Sequence, residues 1–322
     1  MRSPKFIVSL LVLFLAVACK KNEDPEPPPR QDWIDLLESH GNYSLFIEAA
    51  KKSGLSDQLS GTAYTLLVPG DSVFQNYLDN AGIADIDTWI QSFGEELTQL
   101  ILNYHIIRGP GIATGQFSSA FLGSNAFNRF GNPISLHVKA DKVPIMINSF
   151  AEIIANPISQ EDLEVHEINR VLFLPAVADL VSHDPEFSLL RQSLQRAGSG
   201  MDALLRQDNE AFCFFAPTNR GFQDFISNSN YSDFHDFTQQ KTSSEMRDLL
   251  LYHMLPNVLR SDNFSNGSYG TRLQGQSIKL IKDVHGGIGV VDGNGNKADL
   301  IITDIHALNG IVHSIDYVLL PL

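Results

Sequence analysis

"NGIVHSIDYVLLP" occupies Asn309–Pro321, and a shorter form of it, "EVHEINRVLFLP", occupies Glu164–Pro175. Working outward, "YTLLVPGDSVFQNYL" (Tyr64–Leu78) corresponds to "FCFFAPTNRGFQDFI" (Phe212–Ile226), and "LILNYHIIRG" (Leu100–Gly109) to "LLLYHMLPN" (Leu249–Asn257). Pro69 and Pro217, Phe74 and Phe222, and Tyr104 and Tyr252 are each separated by 148 residues, and His166 and His313 by 147. Three phrases in one order at one spacing describe a duplicated unit. A period this long means tandem domains and not a solenoid. Each copy is large enough to bury a core of its own.

The copies share an order of elements. Each opens with an amphipathic helix, "YSLFIEAAKKSG" with Leu45, Phe46, Ala49 and Ala50 on one face and "PEFSLLRQSLQRAG" with Phe187, Leu190 and Leu194, stopping at Gly54 and Gly198. A short apolar strand ending in proline follows. Asp71-Ser72 and Thr218-Asn219 suit the N-cap of the next helix, with Phe74 and Phe222 one turn in, facing the core. A further helix ends in Tyr-His, and short strands with turns complete the unit. Alternation in the closing strand groups His313 with Ile311, Ile315, Tyr317 and Leu319.

This pattern resembles the fasciclin domain, known from adhesion, extracellular-matrix and bacterial surface proteins. The second copy carries "FAPTN" (Phe215–Asn219), Tyr252-His253 and the whole closing phrase. The first has "LVPGD", lacks Asn-Gly before His166, and has Asn169 where the family has Asp. The resemblance covers residues 32–322 and implies an α+β fold: two tandem domains, 32–178 and 179–322, each a helical layer on short strands forming a β-wedge. It implies structural roles for Pro69, Tyr104, His105, His166, Pro217, Thr218, Tyr252, His253, Asn309, Gly310, His313 and Asp316. It also implies adhesion or matrix interaction without enzymatic activity.

Residues 1–19 read as a secretory signal: basic Arg2 and Lys5, an apolar run from Phe6 to Val17, and "LAVAC" before Cys19. The ending resembles a bacterial lipobox, with Ala16 where Leu is commonest, and makes Cys19 the expected lipidation site and membrane anchor. Residues 20–31, "KKNEDPEPPPRQ", hold no apolar side chain and read as a flexible tether. The expected location is the outer membrane of a Gram-negative bacterium, facing the cell surface. Cys213, the other cysteine, lies in an apolar strand and reads as a small buried hydrophobe.

A net charge of −14 without a basic cluster argues against nucleic acid as partner. An extracellular protein or polysaccharide remains. No catalytic, cofactor or metal-binding set emerges. "HEINR" at His166 has Arg170 where a zincin needs its second His. "DGNGN" from Asp292 lacks the later calcium ligands and reads as a hairpin turn, and "GGIG" at Gly286 has no helix after it. His313 in apolar company and His253 at a helix end read as structural, the latter bonding free carbonyls and suiting the negative end of the dipole. An alternative function is capture of a glycan or small ligand, possibly beside a transporter. Its candidate aromatics are Trp33, Trp89 and "NYSDFHDF" (Asn230–Phe237), although such rings more often bury themselves.

Overall fold

A computed structural model describes residues 33–59, 63–207, 210–282 and 287–322, all within one compact unit, Asp32–Leu322. Cys19, the signal, the tether and Gly286 lie outside the described residues.

The first repeat runs α1 (Trp33–His40), α2 (Ser44–Lys52), β1 (Tyr64–Pro69), α3 (Asp71–Ala81), α4 (Ile86–Phe93), α5 (Glu95–Tyr104), β2 (Ile106–Arg108), β3 (Ala120–Phe127), β4 (Pro133–Lys139), β5 (Met146–Ile147), β6 (Ala151–Glu152), β7 (Ile158–Gln160) and β8 (Leu163–Ile168). The second runs α6 (Val177–His183), α7 (Ser188–Ala197), α8 (Ser199–Arg206), β9 (Phe212–Pro217), α9 (Asn219–Ser227), α10 (Phe234–Gln240), α11 (Ser243–Tyr252), β10 (Met254–Leu255), β11 (Gly267–Gly270), β12 (Ser277–Lys282), β13 (Ile288–Val291), β14 (Lys297–His306) and β15 (Gly310–Ile315). The sheets are ordered β6-β5-β4-β3-β2-β1-β8-β7 and β10-β9-β15-β14-β13-β12-β11. This is the α+β pair expected.

Each sheet turns on one parallel pair: β1 beside β8, Tyr64 opposite Leu163, and β9 beside β15, Phe212 opposite Gly310. Strands β1, β9 and β15 are buried along their whole length, as near-continuous apolar runs require when both sheet faces are covered. Alternation sends Phe212, Phe214 and Val312 into a core beneath the helices, and Cys213, Phe215, Ile311 and Ile315 into a second core inside the wedge. The first repeat divides likewise, Leu66, Val68 and Val165 facing one core and Leu67 and Ile168 the other. The face of β15 opposite His313 is therefore not solvated, and Val312, Ser314 and Val318 are buried too.

Local differences from expectation have physical causes. In α2, Ile47 joins Phe46, Ala49 and Ala50 in the core while Leu45 is half-buried. Thr218 caps α9, its hydroxyl accepting the Gly221 N–H (3.1 Å), but Asp71 does not cap α3. It is the first residue of that helix, and its carboxylate accepts the Leu45 N–H (2.8 Å) at the start of α2. Asn219 does the same for α7 through the Leu189 N–H (2.9 Å). A polar side chain just after the proline strand thus ties an early helix of each repeat to the helix that follows the strand. The boundary expected between residues 178 and 179 falls inside α6. Val177, Ala178, Leu180 and Val181 all bury in the second repeat's core, so the chain changes repeat at Pro175–Ala176.

Polar bonds join the repeats at that point. Leu308 N–H donates to Pro175 O (2.8 Å), Asn128 Nδ2 to Ala307 O (2.9 Å) and His306 N–H to Ser135 Oγ (2.9 Å), while within the second repeat Val177 N–H donates to Asn309 Oδ1 (2.9 Å). Asp184, in the second repeat, lies 3.3 Å from Lys139 Nζ in the first.

Candidate functional site

The recurring motif residues converge on the parallel pair of each repeat. His105 and His253 sit at the C-terminal ends of α5 and α11, each 1% exposed. His253 Nε2 accepts the Leu319 N–H (3.0 Å), so Nδ1 carries the proton and donates to Leu249 O (2.8 Å). His105 repeats this, with Leu172 N–H (2.9 Å) and Ile101 O (2.9 Å). Each ring therefore bridges a helix end to the segment after the closing strand, and both nitrogens are used. Burial lowers both pKa values from 6.5 to about 4. Desolvation outweighs the helix dipole, and the rings stay neutral instead of answering it with charge.

His313 and His166 lie on β15 and β8. His313 is in the opposite tautomer: its Nδ1 accepts the Asp304 N–H (3.2 Å), leaving Nε2–H to donate to Leu259 O (2.8 Å). His166 Nε2 likewise donates to Ile112 O (2.7 Å), but its Nδ1 is buried without a hydrogen-bond partner among the described residues. An orphan of this kind costs about 1–3 kcal/mol, a physical mark of the first repeat's degeneracy. Burial lowers the pKa of both rings.

The tyrosines are equally committed. Tyr104 OH donates to Ser135 O (2.8 Å) and accepts from Asn148 Nδ2 (2.9 Å); Tyr252 OH donates to Ser277 O (2.9 Å) and accepts from Gly293 N–H (2.8 Å). Asn309 Nδ2 donates to Leu205 O and Gln207 O, both at 2.8 Å, while Oδ1 takes Val177 N–H. Gly310 has no room for a side chain: a Cβ would lie 2.7 Å from Phe212 O. Asp316 Oδ1 accepts the Asp299 N–H (2.7 Å), and Asn169 Oδ1 accepts the Glu152 N–H (2.8 Å). The Asp-to-Asn departure of the first repeat therefore keeps the contact. Pro69 and Pro217 end β1 and β9.

His306, and the hold of Asp292 on the C-terminal tail, went unrecognised in the sequence. Asp292 heads the "DGNGN" turn, and its carboxylate accepts from Asn294 N–H (2.9 Å), Asn296 N–H (2.8 Å) and Leu320 N–H (2.9 Å), pinning the C-terminal tail. His306 is buried at the junction of the repeats, its pKa lowered to about 4 by burial against the pull of Asp304. Cys213 is fully buried, which pushes its thiol pKa well above the ordinary value. Trp33 and Trp89 are 3% and 0% exposed. Of the aromatics in "NYSDFHDF", Phe237 is buried, while Tyr231 and Phe234 are half-exposed. Among the described residues no group of three or more His, Cys, Asp or Glu could hold a metal ion.

The arrangement defines a tandem pair of α+β modules whose shared polar residues brace each module internally. A fasciclin-domain family model matches residues 41–175 and again 185–321, and the chain belongs to the fasciclin domain family, whose domains are adhesion and matrix-interaction modules. It is 26% identical over 290 residues to the transforming growth factor-beta-induced protein ig-h3 of Sus scrofa, covering 88% of this chain and 37% of that protein. It is 25% identical over 269 residues to a fasciclin-like arabinogalactan protein of Arthroderma benhamiae, covering 80% of this chain and 58% of that one. Among solved structures, a FAS1 domain pair from the insect cell adhesion molecule Fasciclin I is similar at 20% identity and a TM-score of 0.48, over 88% of this chain and 98% of that chain. The chain thus spans less than two thirds of the length of these curated relatives.

Proposed function

We propose that this protein is a non-enzymatic, lipid-anchored surface protein that binds a component of the extracellular matrix, with Cys19 as the acylated residue in the outer membrane. The observation that carries this reading is the fate of the motif residues. The imidazoles of His105, His253 and His313 and the phenols of Tyr104 and Tyr252 all end on groups of their own repeat. They serve rigidity, which leaves recognition to the surface. An enzyme would hold a polar set aimed at a cleft, with a base in reach of a nucleophile.

The reading is tested in cells by Cys19→Ser. Wild-type protein is expected in the outer-membrane fraction and accessible to protease on intact cells; the variant is expected in the soluble fraction. Membrane association unchanged by the substitution, or protection of the wild type from external protease, overturns it.

A further inference from the structure

A groove in the second repeat lies between the α9–α10 turn, the start of α11, the β13–β14 turn and the C-terminal tail. We infer that this groove binds a neutral oligosaccharide, stacked on Tyr231 and Tyr317. The inference rests on the matrix-binding reading and names the ligand class.

Two half-exposed rings form its aromatic wall. Tyr231 and Tyr317 both pack edge-on or tilted against Phe225, with ring centroids 6.1 and 6.0 Å away. Their hydroxyls take no hydrogen bond from the described residues. Packing alone does not call for tyrosine at either place. At the repeat spacing, Tyr231 corresponds to Ile83, which packs against the first core as an aliphatic, and Tyr317 to Arg170. The second repeat thus carries two amphipathic rings where the first uses neither.

The polar wall is pre-oriented. Asn294 Nδ2 donates to Leu320 O (3.3 Å) and Pro321 O (3.2 Å), Asn296 Nδ2 to Asp292 Oδ2 (2.9 Å), and Gln240 Nε2 to Asp236 Oδ1 (2.8 Å). Each amide commits at least one N–H inside the protein, which orients the side chain and leaves its carbonyl oxygen as an acceptor, and Asn296 and Gln240 keep a second N–H as a donor. Exposed Asp248 adds a carboxylate that takes no hydrogen bond from the described residues. Apolar faces opposed to fixed acceptors match a sugar ring, which presents C–H on its faces and O–H donors at its rim.

Charge decides against an acidic ligand. Glu245 and Asp248 line the groove, and the one cation among its described lining residues, Lys241, lies over the Phe237 ring (5.6 Å). The chain as a whole carries −14. A uronate chain would meet like charge here.

Residues 32–322 hold both repeats and the cores of each, so they serve as the test protein. Titration calorimetry would use hexasaccharides of β-1,4-glucose, β-1,3-glucose and α-1,6-mannose, with hexagalacturonate as the charged control. At least one neutral hexasaccharide is expected to bind, and the uronate at least about tenfold more weakly. Tyr231→Ala is expected to weaken binding by about tenfold, the scale of one aromatic contact, while Tyr231→Phe keeps the ring and stays within about threefold. Asp248→Ala, on an exposed side chain, is expected to weaken binding without moving the melting temperature. No binding by any neutral sugar, equal binding of hexagalacturonate, or wild-type affinity in both alanine variants overturns the inference. Such failure leaves the Cys19 fractionation result standing, and failure of that fractionation leaves the calorimetry standing.

Discussion

Replacing His253 with alanine removes a ring that closes two backbone groups at once. Leu249 O and Leu319 N–H, both at a site where the ring is 1% exposed, lose their partner, and the ring's volume becomes a cavity. Together the stranded groups and the void amount to about 4 kcal/mol at neutral pH. The pH dependence gives the sharper check. The folded ring resists protonation down to about 4, whereas the unfolded ring titrates at its ordinary 6.5. Between those values the unfolded chain binds a proton that the folded chain refuses. The wild type is therefore most stable above pH 6.5 and loses stability as pH falls toward 4, by about 1.4 kcal/mol per pH unit from this residue. Protonation would also set an Nε2–H against the Leu319 N–H. The alanine variant has lost this proton linkage, so the gap between wild type and variant should narrow by about 2 kcal/mol between pH 7 and pH 5. Urea unfolding followed by far-UV circular dichroism measures both. A gap that does not change with pH, or a variant as stable as wild type at pH 7, refutes the structural role.

Three further outcomes follow from the same geometry. His313→Ala is expected to cost about 1–3 kcal/mol, with EDTA leaving the wild-type melting temperature unmoved; a chelator-sensitive melt would point to a metal. Gly310→Ala forces a Cβ to within 2.7 Å of Phe212 O in the parallel pair, and is expected to lower stability by about 2 kcal/mol or more in a thermal melt; a neutral result would mean that β9 and β15 yield easily. Residues 176–322 should melt cooperatively alone, while 181–322, which cuts α6 and loses the buried Val177 and Leu180, should be less stable by about 4 kcal/mol; equal stability would place α6 outside the core.

The duplication was legible because it is written in rare, bulky or conformationally special residues. Pro69, Pro217, Phe74, Phe222 and the Tyr-His pairs keep their register across the repeats, and runs such as "FCFFAP" mark strands covered on both faces. The burial of the histidines was also readable, since apolar neighbours imply it. Their second bonds were not, because Leu319 and Leu172 are backbone donors that any sequence could supply. The helix α1 escaped notice beside the proline-rich tether. The position of α6 escaped too, because its apolar face says that it is buried but not in which repeat. The groove was half visible: "NYSDFHDF" drew attention to Tyr231, but Asn294 and Tyr317 come from distant turns that only the fold assembles.

The junction at Pro175–Val177 has a mechanical meaning. Tension applied between the two repeats crosses one covalent strand there. Beside that strand, Leu308 N–H holds Pro175 O and Asn309 Oδ1 holds Val177 N–H. Asn128 and Ser135 reach across to Ala307 and His306, so part of the load bypasses the covalent connection through the loop before β15. Swivelling one repeat against the other works against the bonds from Leu308 to Pro175, Asn128 to Ala307 and His306 to Ser135. The pair therefore transmits tension as a stiff lever.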